Sequence, residues 1–208
     1  MTLVRREEMK VQFDIVTLMM ANLLFSVQVA PLVVVVATAI RSVLLLTGKR
    51  RAFEEWTRNP LLSAVTIIFA PGMVINTAVR YGVTSLMGID LEGLGGGGTY
   101  GELSFFLKVD KPPRVAVLLS ALYISTVISV FTAFALLVFP VVMLAGAPIV
   151  LLCTYISLGV LLSSSLKGGD LALLGAALKG NPRRGVFEFL AVTTVLVLFY
   201  TQVLGVMI

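Results

Sequence analysis

The residues whose types and spacing bear most on chemistry lie in Pro71-Gly72-Met73-Val74-Ile75-Asn76-Thr77-Ala78-Val79-Arg80. Asn76 and Arg80 stand four residues apart, so a helix puts them on one face, one turn from each other, with Thr77 beside them. A zinc helix carries two imidazoles at that spacing, with a carboxylate base next to the first. Asn, Thr and Arg supply neither ligand nor base, and the chain has no histidine at all. The stretch therefore has the form of a catalytic helix without its chemistry. Arg80 lies in an otherwise apolar run, where facing lipid at mid-depth costs about 2.5 kcal/mol or more. It therefore faces protein or water, or snorkels to the interface. Asn76 and Thr77 are read as interhelical hydrogen-bond groups in preference to substrate contacts.

The elements that position these residues are membrane helices. Of 208 residues 58% are hydrophobic, and several apolar runs reach the roughly 18 residues that mark a span. The expected fold is an all-α polytopic bundle of about five transmembrane helices with a small β-hairpin, or ribbon. Residues 1–12 form an interfacial leader, and 13–208 a single transmembrane domain. The spans are placed at about 26–46, 61–87, 114–139, 146–165 and 185–207, and the ribbon at 88–112. The first helix is expected to kink near Pro31, with Arg41 snorkelling to its end. Gly48–Asn59 reads as a polar connector with Trp56 as an interface anchor, and Asn59-Pro60 as the entry to the second span. Pro140 and the Gly146/Pro148 region form a turn, and Leu171–Lys179 a short amphipathic helix.

Charge narrows the partner classes. The net charge is +5, but the basic residues flank apolar runs as the positive-inside rule requires, so the lipid bilayer and other membrane proteins are the expected partners and nucleic acid is not. Counting by side, Arg5, Arg6, Lys10, Lys108, Lys111, Arg114, Lys167, Lys179, Arg183 and Arg184 fall together, against Lys49, Arg50, Arg51 and Arg58. That puts the N-terminus and the ribbon on the cytoplasmic side of a cell membrane. A lone Cys153 excludes disulfides and thiolate metal sites, and the scarcity of Asn, Gln and Cys fits a heat-adapted source. No cofactor or metal is expected. Gly93 to Gly98 formally spells G-x-G-x-x-G, but lacks the buried strand, following helix and acidic residue that a dinucleotide site needs, and is read as a turn. Ser163, Ser164 and Ser165 with Lys167 spell a Ser-Lys dyad only by nearness in sequence.

The order of these features resembles the site-two-protease-like intramembrane zinc metalloproteases, in particular compact members that carry a Pro-Gly pair ahead of the zinc helix. Pro71-Gly72 is followed at the right distance by Asn76 and Thr77 in place of His-Glu, and Arg80 stands in place of the second His. Gly82-Val83 and Gly88-Ile89 fall where the family helix turns into a ribbon. Ser104 to Pro113 resembles the strand and linker before the next span. Tyr155 to Leu158 and Ser163 to Asp170 resemble the region of the third ligand, an Asp, which makes Asp170 the one retained ligand candidate; the resemblance then implies that Arg80 pairs with it, the guanidinium replacing the cation that neutralised the carboxylate. The likeness spans roughly residues 60–180. It implies the family fold without its hydrolysis: a catalytically inactive, protease-like membrane protein that binds transmembrane or membrane-adjacent segments through a vestigial site of Asn76, Thr77, Arg80 and Asp170. The alternative is an accessory subunit of a larger membrane complex, a transporter or respiratory assembly.

Overall fold

The structure is a computed structural model; it describes residues 2–46, 64–65, 67–89, 91–99, 102–109, 113–166, 168–203 and 205. The polar connector, with Trp56 and the Asn59-Pro60 entry, and Lys167 of the Ser-Lys pairing lie outside the described residues. In chain order the elements are α1 (Thr2–Leu46), α2 (Ala70–Leu86), β1 (Leu91–Thr99), β2 (Glu102–Val109), α3 (Val115–Val142), α4 (Ala147–Ser163), α5 (Gly168–Gly180) and α6 (Pro182–Leu198), the last continued by a π-helical turn, Phe199–Val203.

Among the described residues three helical stretches are long and apolar enough to cross a membrane: Ile15–Leu44, Val115–Val142 and Pro182–Gln202. Ala147–Ser163 is apolar but shorter, at 17 residues, a rise of about 26 Å. The span expected at 61–87 begins outside the described residues; within them α2 runs from Ala70 to Leu86. Pro31 lies inside a single uninterrupted helix that already includes the leader residues from Thr2. Pro140 likewise does not end α3, which runs on to Val142 before the turn to α4.

α3 is the hub, packed against α1, α2, α4, α5 and α6. Its buried side includes Ala121, Ser125, Ser129 and Ala133, one small residue every four positions, which lets neighbouring backbones approach closely. α2 buries Gly72, Met73, Asn76, Thr77, Val83 and Thr84, the three-and-four spacing of one helical stripe. α2 and α4 run parallel and cross at Gly72 and Gly159: a Cβ on Gly72 would lie 2.2 Å from the Gly159 carbonyl carbon. Only glycine permits that approach.

α2 and α3 end in the same C-terminal motif built on different residues. After α2, Gly88 takes the left-handed conformation (φ 69°) while its N–H bonds Ser85 O and the Ile89 N–H bonds Thr84 O, both at 3.1 Å. After α3, Leu144 takes it (φ 51°), with Leu144 N to Val141 O at 3.1 Å and Ala145 N to Pro140 O at 2.9 Å. Both are Schellman closures that satisfy otherwise orphaned carbonyls. Ile89, buried, packs with Val83 and Ala121, and Val109 at the end of β2 lies against this cluster. β1 and β2 pair antiparallel from Leu91↔Val109 to Thr99↔Glu102, with an irregularity between Leu91 and Gly93.

α1 lies against α3 and the end of α4. Its Asn22 donates to the Phe131 carbonyl of α3 (3.4 Å), and Phe25 meets Phe134 edge-on at 5.0 Å. Further along, Arg41 Nη1 donates to Leu166 O (2.9 Å), and the Leu166 N–H donates to Thr38 Oγ1 (3.1 Å), just beyond the end of α4. α4 ends where α2 carries Asn76 and Arg80, the end from which the ribbon emerges. α1 is thus tied to α3 through Asn22 and Phe25 and to the end of α4 through Thr38 and Arg41. With 45 residues it is about 67 Å long, well beyond a hydrocarbon core of about 30 Å.

Candidate functional site

Asn76 sits at the centre of three helices, only 1% exposed. Its Nδ2 donates to the Ser163 carbonyl of α4 at 2.8 Å, and its Oδ1 accepts from Ser129 Oγ of α3 at 2.8 Å. The Ser163 carbonyl belongs to the last turn of α4, where no helical N–H remains to bond it. In apolar surroundings such a group must find a partner, and the Asn76 amide supplies one. The amide is used at both ends.

One turn on, Arg80 Nη1 lies 3.0 Å from Asp170 Oδ2 and 3.1 Å from Oδ1. The two side chains are 11% and 17% exposed, so the pair is largely withdrawn from solvent. Asp170 belongs to the first turn of α5, where a carboxylate also suits the helix dipole. Of the two readings of Arg80, pairing with Asp170 is the one observed. Arg41 ties α1 to the end of α4 through Leu166.

Thr77 departs from its expected role. It is buried, but its hydroxyl donates to Met73 O of its own helix at 2.8 Å. A threonine in a helix can always reach back to a carbonyl four residues before it, and here it does so in place of bridging helices. Thr84 does the same toward Arg80 O. The serines of the 163–165 run are similarly committed: Ser163 and Ser164 hydroxyls each donate to Val160 O at 2.9 Å. Neither is poised as a nucleophile.

Sequence reasoning missed the partners that complete the site, Ser129 and Ser163 with the Gly72–Gly159 crossing beside them. The signal was available: a small residue recurs every four positions through α3, and Ser157 and Ser163 flank Gly159 in α4. Ser157 repeats the theme, its hydroxyl donating to the Ala133 carbonyl of α3 at 2.8 Å.

The arrangement does not fit a zinc ion. Among the described residues no three of His, Cys, Asp and Glu gather, and the one carboxylate faces a guanidinium where a ligand would stand. What it can do is fasten. Asn76 joins α2 to α3 and α4, and Arg80 joins α2 to α5 one turn further along. Comparison of the chain with models of known protein families, with curated proteins and with solved structures finds no match, so the protease-like resemblance rests on the residues quoted for it.

Proposed function

We propose that the chain is a multi-pass, non-catalytic, protease-like protein of the cell membrane that binds transmembrane or membrane-adjacent segments of partner proteins. The observation that carries this reading is the Arg80–Asp170 pair at 3.0–3.1 Å. A cation on the helix that follows Pro71-Gly72 meets an aspartate from the later loop, in the places where the resembled family holds metal ligands. A fixed guanidinium takes over the task of neutralising the carboxylate. Counted by side, Arg5, Arg6, Lys10, Lys108, Lys111, Arg114, Lys167, Lys179, Arg183 and Arg184 fall together against Lys49, Arg50, Arg51 and Arg58, which by the positive-inside rule supports a cytoplasmic N-terminus and ribbon.

The second reading, an accessory subunit of a larger membrane complex, is favoured by a different observation. The Asn76 face is filled by the chain's own α3 and α4, while α1 leaves Leu24, Leu32, Val35 and Val43 more than half exposed. Those apolar flanks suit permanent neighbours as well as lipid. Purification from the native membrane in mild detergent, with stoichiometric mass spectrometry, separates the two. Many substoichiometric single-span clients support the binder, and one partner at fixed ratio supports the subunit. Stoichiometric zinc in protein purified without added metal overturns the non-catalytic reading.

A further inference from the structure

The N-terminal turns of α3 and α6 and the C-terminal turn of α5 form an open cavity of about 210 Å³, lined in part by Arg114, Asn181, Arg184 and Glu188. The vestigial site makes no use of it. Its acidic member is already satisfied: Glu188 Oε1 accepts from Arg184 Nε at 2.8 Å, and Oε2 accepts from the Ala116 N–H at 3.2 Å. That arrangement closes the carboxylate off and fixes the Arg184 guanidinium by its Nε, leaving both Nη nitrogens without a bond to any described residue. Arg114, at the opening turn of α3, pairs with no described carboxylate either. The uncompensated charge of the cavity is positive, and its donors are guanidinium forks, whose geometry suits phosphate oxygens. Gly185 forms the tight back wall, where a Cβ would come within 3.2 Å of Leu178 and 3.4 Å of Val115.

We infer that this cavity binds a phosphate group, with Arg114 and Arg184 as its ligands. α3 and α6 are both long and apolar enough to cross a bilayer, so their shared first turns lie at headgroup depth, where basic pockets between helices take anionic lipid. The phosphate of an anionic phospholipid is thus one source and free phosphate the other. The lipid source rests on the membrane orientation proposed above; the phosphate chemistry does not.

The test uses the full chain in mild detergent, titrated with short-chain phosphatidylglycerol, with phosphatidylcholine and with inorganic phosphate, and read by native mass spectrometry and thermal midpoint. Retention of one phosphatidylglycerol per chain, in preference to phosphatidylcholine, is expected. Arg114→Gln and Arg184→Gln each weaken it about fivefold or more, while Arg183→Gln, outside the cavity, leaves it within about twofold. Arg114→Lys, which keeps the charge but loses the fork, falls between. It also provides a folded variant should the glutamine forms aggregate. Stabilisation by inorganic phosphate that displaces the lipid supports the site with a soluble source; lipid retained against phosphate supports the lipid source. Equal retention of both lipids with no phosphate effect overturns the proposal, as does a loss in Arg183→Gln equal to that in Arg114→Gln.

Discussion

Leu144 is the one non-glycine described residue with positive φ, at 51°, and its side chain is 91% exposed. A left-handed conformation costs an L-residue about 1–2 kcal/mol because Cβ crowds the backbone, and the exposed side chain returns no packing. Leu144→Gly therefore raises the stability of the purified protein, by about 1 kcal/mol once glycine's extra unfolded-state freedom is deducted. Gly88, in the same role after α2 at φ 69°, gives the converse: Gly88→Ala lowers stability by a similar amount. Thermal midpoints of the two variants in one detergent check both signs. The glycine of α2 was legible as the end of a helix in the sequence. The leucine of α3 was not, because nothing local distinguishes it from the apolar run around it; the connection to α4 imposes its conformation.

At the scale of elements, two features hold α2 in place, and they predict different losses. The Gly72–Gly159 crossing leaves no room for a methyl group, with backbone atoms of Gly159 and Val160 at 2.2–2.5 Å from the site of a Gly72 Cβ. Gly72→Ala forces the helices apart and costs about 1–3 kcal/mol, as overpacking does. Gly82→Ala, with nothing within 4 Å of its Cβ, is neutral to slightly stabilising. Equal behaviour of the two would remove the crossing as a determinant. The Arg80–Asp170 pair ties α2 to α5 and is read by a double-mutant cycle. Arg80→Ala and Asp170→Ala each leave a partly buried charge without its partner and cost several kcal/mol, about 3–5 if the site were fully buried. The double variant loses less than the sum. Additive losses would mean that the two charges do not act on each other.

For the whole molecule, the side on which each end of the chain lies has the sharpest consequence. Counting Lys and Arg by side puts the N-terminus and the ribbon together. In sealed vesicles of a Cys153→Ser background, Thr2→Cys and Thr99→Cys are therefore expected to react with a membrane-impermeant thiol reagent from the same side. Labelling from opposite sides would overturn that placement. Tyr200 helps hold the bundle, its hydroxyl donating to the Val27 carbonyl of α1 at 2.5 Å and lying 3.1 Å from the Tyr123 hydroxyl of α3. It closes α6 onto α1 and α3.

Composition by itself determined that the chain is built from apolar helices, because runs near 20 residues with few charges inside them have few other solutions. Spacing determined that Asn76 and Arg80 share a face, because the helical period is a local property. The chemistry excluded by the absence of histidine was equally plain. Tertiary structure alone decided the rest. Whether Arg80 snorkels or pairs depends on where α5 delivers Asp170, 90 residues later. Asn76 and Thr77 were indistinguishable in sequence, yet one bridges three helices and the other turns back on its own. Their fates follow from which side chain meets an orphan carbonyl at the end of α4. The joining of α1 to the end of α4 through Arg41 and Leu166, 125 residues apart, was likewise beyond local reading: periodicity fixes where a helix lies, and only tertiary contacts fix what it meets.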